Sequence, residues 1–342
     1  MDDAKKYIYG VINLNNGDNF QPIKAGWGNQ ELYAISHQDI ACVVSDSPGL
    51  NLEIMEKEEL GRYLVNHQSA IEEVMKTHTI IPIKFGTEVE NKLEVGQILE
   101  RGYSKFKDRL KNFDGKIELD VTAVWSDLNK IIKVMGEEDK EIRDFKEKIA
   151  RKPPGETLQD RIKIGVMIKT ALEKKNEETQ NQIIDCLKEK AIDFQKHKIM
   201  DDRMILTCAF LLDRDKESEF DEALNELDKR HDGLINFKCV GPLPPYSFTT
   251  MEVKKVGFRQ LNEAGNLLDL GEEVTADDIK DSYRKKTLDC HPDKDPDDPV
   301  LAERFEEITR AYKMLTSFCR GEKCSFKSDD VKDFFLIEAM KI

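Results

Sequence analysis

The stretch that most constrains this chain is His291-Pro292-Asp293, set between two segments of helical periodicity. Proline lacks an amide hydrogen, fixes φ and drives the residue before it toward extended geometry, so no helix runs through Pro292 and the chain must turn there. Upstream, Thr275 stands three residues before Asp278, a capping-box spacing that predicts a helix start. Ile279 and Tyr283 fall on one face of that helix with Leu288 near the same stripe, while Lys280, Arg284 and Lys285 face water. Downstream, Asp298-Pro299 reads as an N-cap followed by proline at the first helical position, and Phe305, Ile308, Tyr312 and Leu315 recur at helical spacing. Two antiparallel helices joined by an exposed acidic loop follow. Asp293, Asp295 and Asp297 have the spacing that opens a calcium loop. Asp298 takes the place of the glycine that loop needs, and Arg304 that of its bidentate carboxylate, so no calcium site is expected.

This segment fills only the last part of 342 residues, a length that suggests two or three domains. With 35% charged residues and a net charge of -14, the chain lacks the basic balance that binding phosphates requires, so nucleic acid is not an expected partner. The first residues have no apolar signal-peptide core and no apolar run reaches membrane-spanning length. A cytoplasmic protein without a membrane partner is expected. The seven cysteines include no Cys-x-x-Cys pair, and Cys42, Cys208 and Cys239 lie in apolar runs where a thiol acts as a small core residue, which argues against a disulfide framework. His67 and His78 have no partner at metal-ligand spacing, so neither a metal nor a cofactor is expected. No Ser-His-Asp arrangement or P-loop is visible, and the chain is read as non-enzymatic.

Along the chain, apolar runs predict strands over 7–12, 31–36, 40–45, 80–85 and 117–125, with helices over 55–76 and 89–112. Residues 1–114 thus form an α+β domain. A helical region over 126–200 is interrupted by Pro153-Pro154-Gly155. From Thr157 onward it keeps Ile162, Val166, Ala171, Ile183 and Leu187 among many charges, as one long arm or two packed helices in a packing role. Strands over 204–212 and 234–240 with a helix over 216–229, taken with the strand before Ser126, give a βαβαβ order that fits a ferredoxin-like sheet in a domain spanning 115–258. The helical module occupies 259–318. Its short connection at 253–260 predicts docking on the ferredoxin-like domain, and in the tail over 319–342 Val331, Phe334 and Phe335 share a helical face. The expected fold class is α+β, two α+β domains followed by a small all-α hairpin.

Residues 264–318 resemble the J-domain family through Leu267-Leu268-Asp269-Leu270, Tyr283-Arg284-Lys285-Lys286, His291-Pro292-Asp293-Lys294, Phe305-Glu306-Glu307-Ile308 and Ala311-Tyr312. That resemblance implies a DnaK-type chaperone as partner, contacted by His291, Pro292, Asp293, Lys280, Arg284, Lys285 and Lys294. Asp281 and Asp289 place acid on the usually basic helix, and Cys290 stands where the family usually has an aromatic.

Residues 7–248 resemble the GvpF/GvpL family of gas vesicle proteins through Tyr7-Ile8-Tyr9-Gly10-Val11, Val43-Val44-Ser45-Asp46, Ile81-Pro82-Ile83-Lys84-Phe85-Gly86-Thr87 and Gly241-Pro242-Leu243-Pro244-Pro245-Tyr246-Ser247-Phe248, with Leu243 where that family commonly has tryptophan. What the resemblance implies is an assembly accessory, in the cytoplasm or at the vesicle, that binds the small apolar shell protein and limits its aggregation, alongside other vesicle accessory proteins. In the motifs, Phe85, Gly86, Thr87, Gly241, Pro242, Pro244, Pro245, Tyr246 and Phe248 are expected to hold the fold, at a strand-to-loop corner and a rigid exit from a sheet. The alternative is a general J-domain co-chaperone whose α+β part binds other clients.

Overall fold

A computed structural model of the chain describes all residues except 1–3, 15–19, 51, 53, 154–156, 292–293, 295–297, 320, 322, 328–329, 332 and 341–342. The first half runs β1 (Lys6–Asn13), β2 (Ile23–Lys24), β3 (Glu31–His37), β4 (Ile40–Asp46), α1 (Lys57–Met75), β5 (Ile80–Pro82), β6 (Glu88–Val89), α2 (Lys92–Asn112), β7 (Lys116–Trp125), α3 (Leu128–Glu138), α4 (Lys140–Ala150) and α5 (Leu158–Leu187). It continues with β8 (Asp193–Lys196), β9 (Met204–Asp213), α6 (Glu217–His231), β10 (Ile235–Leu243), α7 (Tyr246–Thr249), β11 (Met251–Val256), α8 (Phe258–Leu267), β12 (Glu273–Val274), α9 (Ala276–Cys290), α10 (Pro299–Phe318), β13 (Cys324–Ser325) and β14 (Phe334–Ala339). The helix–strand mixture is α+β. The chain divides into two compact units, one made of Met1–His67, Ile83–Lys107 and Met251–Lys341, the other of Gln68–Pro82 and Asp108–Thr250.

In the first unit, β1 pairs antiparallel with β4, and β4 with β3. Tyr7 through Ile12 of β1 are buried on both faces, which explains a continuous apolar run in place of alternation. The last strand pair of the unit joins distant parts of the sequence: β11 pairs antiparallel with β14 from Met251↔Ala339 to Val256↔Phe334. The tail segment is therefore a strand and not the helix its spacing suggests. Phe334, Phe335, Leu336 and Ile337 are all buried, so consecutive apolar residues face opposite sides of a covered ribbon. Polar contacts from α2 fix it further, with Lys105 Nζ donating to the Ile337 carbonyl at 2.6 Å and the Arg101 guanidinium lying 4.3 Å from the Phe334 ring centroid. The helical module thus shares a compact unit with the first sheet, where the short connection suggested the second α+β domain.

The second unit holds an antiparallel sheet in the order β10-β7-β9-β8. Strand β8 lies within the 126–200 region read as helical, because Phe194 alone among Asp193, Gln195 and Lys196 carries no strand pattern; the element order is βαββαβ. Ile117, Leu119, Val121, Ala123 and Trp125, every second residue of β7, face a core with Phe210, Phe220, Ile183 and Leu187. The charged segment after Thr157 is one 30-residue helix, tied to β7 where Trp125 Nε1 donates to Asn176 Oδ1 at 2.7 Å. Its C-terminal half packs, but Ile162 and Val166, assigned a packing role from sequence, are exposed. Pro154 and Gly155 of the expected break lie outside the described residues; α4 ends at Ala150 and α5 begins at Leu158.

Candidate functional site

The helical module is built as its caps dictate. Thr275 Oγ1 accepts from Asp278 N–H at 3.2 Å while Asp278 Oδ2 accepts from Thr275 N–H at 2.8 Å, closing the capping box that starts α9. Asp298 Oδ1 accepts from Val300 N–H at 2.9 Å, with Pro299 in the first turn of α10. Tyr283 stacks on Tyr312 at 4.2 Å and His291 meets Phe305 edge-to-face at 5.4 Å, so residue numbers rise on one helix as they fall on the other and the pair is antiparallel. Beneath lie Ile279, Cys290, Ile308, Ala311 and Leu315, joined by Leu261 and Ala264 of α8. Cys290 fills the position of the usual aromatic as a buried thiol. Leu288 does not join this core: nine residues after Ile279 it has rotated to the opposite side of α9 and is 69% exposed.

Lys280, Arg284 and Lys285 stand exposed along α9, and His291 follows its last turn in extended geometry at φ -64°, ψ 130°. Lys294 is exposed and its N–H donates to the His291 carbonyl at 3.0 Å. Pro292 and Asp293 lie outside the described residues. Asp281 sits 3.9 Å from Arg284, a loose and exposed pair worth little. Lys286 instead pairs with Asp269, whose carboxyl it holds below the usual range. The cationic face of α9 is therefore carried by Lys280, Arg284 and Lys285. Cys319 and Cys324 are joined by a disulfide, against the sequence expectation, because β13 returns alongside β12 and brings Cys324 within 5.5 Å, Cα to Cα, of the residue after α10.

The other motif residues lie at two corners. Gly86, at φ +81°, donates its N–H to Tyr7 Oη at 3.1 Å, and a β-carbon there would stand 2.4 Å from Leu52 Cδ1. Phe85 meets the His67 ring edge-to-face at 5.5 Å, and Thr87 Oγ1 donates to the Lys84 carbonyl at 2.7 Å. Behind this corner is a cluster that no sequence pattern marks. Tyr7 Oη lies 2.8 Å from His67 Nδ1, and Tyr9 stacks on the same imidazole at 5.6 Å. Burial lowers the His67 pKa to about 4, so the ring is neutral, its Nδ1 accepting the Tyr7 proton while the ring's other nitrogen donates to the Ile83 carbonyl. Tyr7→Phe would strand both Gly86 N–H and His67 Nδ1, and a loss of about 2 kcal/mol is expected in chemical denaturation. Because the folded ring resists protonation, the unfolded chain binds the extra proton, and His67 removes stability as pH falls from 6.5 toward 4.

The second corner is Gly241–Phe248. Gly241 adopts φ +151° next to β7, Tyr246 N–H donates to the Pro244 carbonyl at 2.6 Å, and Leu243, Pro244 and Pro245 are buried while Pro242 is exposed. Leu243 fills the place of the family's usual tryptophan and pairs in register with Glu118. Glu118, 1% exposed, accepts from Ser247 N–H and Ser247 Oγ, each at 2.8 Å. Phe248 offers its carbonyl to Arg109 at 3.3 Å. These contacts lock a turn. Burial raises Glu118 to about 8, and the neighbouring Asp120 carboxylate, itself raised by burial, adds to the shift. Among the described residues no cluster of His, Cys, Asp or Glu could hold a metal ion, and no helix is long and apolar enough to cross a membrane.

The geometry defines a class: an α+β chain that includes a small helical domain with exposed cations along one helix. Residues 258–319 match the DnaJ domain, and over 62 residues the chain is 47% identical to DnaJ homolog subfamily C member 5 of Mus musculus, covering 17% of this chain but only 31% of that protein. Residues 5–250 match the family described as gas vesicle synthesis protein GvpL/GvpF, and the chain belongs to that family. Gas vesicle protein F1 of Halobacterium salinarum is 22% identical over 250 residues, 72% of this chain and 93% of that protein. The crystal structure of the gas vesicle protein GvpF from Anabaena sp. PCC7120 has the same fold, with a TM-score of 0.62 at 20% identity over 72% of this chain and 98% of that one.

Proposed function

We propose that this protein assists gas vesicle assembly by holding the small apolar shell protein through its α+β part, while its J-domain recruits a DnaK-type chaperone to the same client. The observation that carries the second half is the outward face of α9, with Lys280, Arg284 and Lys285 exposed beside His291 on a fully packed helical pair. A partner with a complementary acidic surface would be steered onto it, and His291, Pro292, Asp293 and Lys294 would make the contact that triggers ATP hydrolysis. A shell subunit that polymerises through apolar surface and strand edges needs cover before assembly. A client held on the chain that recruits the chaperone meets it at high effective concentration. The role is non-catalytic, with the protein in the cytoplasm or at the vesicle and in reach of other vesicle accessory proteins. Phe85-Gly86-Thr87 and Gly241–Phe248 hold the body rigid in this scheme. In a steady-state ATPase assay with DnaK, the full chain is expected to stimulate turnover and His291→Gln to lower that stimulation at least tenfold. Equal stimulation by both proteins would remove the chaperone half of the proposal.

A further inference from the structure

The N-terminal half of α5 is apolar on two sides. Ile164, Met167, Ile168, Ala171 and Leu172 are half-buried on one side. On the opposite side Leu158, Ile162 and Val166, spaced four apart, are 71%, 62% and 59% exposed and form a continuous stripe. A surface helix normally keeps one apolar face, and a helix with two is normally covered on both.

Beside the stripe is Gly165, where an added β-carbon would meet nothing within 4 Å. Glycine in a helix interior is less stable than alanine, and nothing in this unit needs the missing side chain. What the gap does provide is a flat notch against which another backbone can approach closely. The rim around the stripe is cationic: Arg161 and Lys163 flank it and Lys169 closes its end, while Asp160 turns to the far side and pairs with Lys152 at 2.6 Å. Glu173, on the same face, lies 3.9 Å from Lys169. Val166, at the end of the stripe, also borders a cavity whose lining mixes the acids Glu138, Asp139 and Glu141 with Lys174 and Lys175. In a chain of net charge -14 this basic rim runs against the overall balance.

We infer that the Leu158-Ile162-Val166 face of α5 is a docking surface for an amphipathic helix of a partner protein, one with aliphatic residues at i, i+4 spacing and acidic flanks. The apolar stripe supplies the contact area, Gly165 the close approach, and Arg161, Lys163 and Lys169 the choice of charge. The site is independent of the chaperone-contact face on α9.

The test uses the full chain and two synthetic 18-residue helical peptides with the same leucine stripe, one flanked by glutamates and one by lysines, with binding followed by fluorescence anisotropy. The glutamate-flanked peptide is expected to bind at least tenfold more tightly than its lysine counterpart, with the preference shrinking as salt is raised. Ile162→Glu is expected to weaken it at least tenfold at an unchanged thermal midpoint. Gly165→Leu is the sharper variant: it should raise the thermal midpoint yet weaken binding at least tenfold, a combination that a purely structural helix would not give. Absence of binding, equal binding of both peptides, or indifference to both variants overturns the inference. So does self-association of the parent chain that Ile162→Glu abolishes, which would make the occupant a second copy, or tighter binding of anionic phosphatidylglycerol vesicles than of either peptide.

Discussion

Gly241→Ala is expected to lower the unfolding free energy by about 3 to 4 kcal/mol. The backbone at Gly241 has φ +151°, a region essentially confined to glycine, so a side chain is strained there whatever the space. Space is also missing. A β-carbon would stand 2.5 Å from Leu119 Cδ2 and 2.9 Å from the Glu118 carbonyl oxygen, and the second of these is backbone in the centre of a sheet that cannot move aside. The register shift between Val240 and Leu243 would have to be rebuilt to relieve it. Gly115 supplies the control: at φ +66° with nothing within 4 Å of a new β-carbon, its alanine variant should lose only about 1 kcal/mol. Urea denaturation of both variants checks the contrast. Equal losses would mean that the tight turn at Gly241 opens freely.

Glu118 is expected to withdraw stability as pH rises from about 4.5 to about 8, against the gain that His67 gives over the lower part of that range, and Glu118→Gln to remove the Glu118 contribution. Glu118 is raised from 4.5 to about 8, so between those values the folded chain holds a proton that the unfolded chain has released. The stability it contributes is fully present below the unfolded value and is lost as pH rises through the folded one, at about 1.4 kcal/mol per pH unit. The full range amounts to on the order of 4 kcal/mol. Glutamine keeps an oxygen to accept from Ser247 and carries no charge to desolvate, so the variant should match the parent near pH 5 and exceed it near pH 8. Thermal midpoints at the two pH values decide this. A parent and variant that shift in parallel would assign the pH dependence to other groups, such as Asp120, whose carboxyl burial also raises.

Much of this was legible in the sequence because local chemistry and final structure agree there. The strands at 7–12 and 40–45 were continuous apolar runs, and β1 and β4 are buried on both faces. The helix pair around the triad followed from Thr275, Asp298 and the ring of Pro292, all local devices that act through neighbouring backbone. What escaped was decided by distant segments. The tail's Phe334 and Phe335 satisfy helical and strand patterns alike, and only the presence of β11 selects the strand. Glu118 alternates with core residues, which marks it as solvent-facing; its burial comes from Ser247, 129 residues away. His67 lay on a helix with no partner at metal spacing, and the tyrosines that surround it come from β1. Leu288 was placed near the Ile279 stripe, although nine residues on from Ile279 it lies half a turn away. The exposure of Lys280, Arg284 and Lys285 on α9 was readable because it follows from helical phase alone.

The most direct test of the account is to co-express the gas vesicle shell protein with the full chain, with His291→Gln, or with neither, and to measure how much shell protein remains in the supernatant. Both versions are expected to keep the shell protein soluble, and added DnaK and ATP then to release it for assembly only from the parent chain. Shell protein that sediments equally with and without the chain would contradict that expectation.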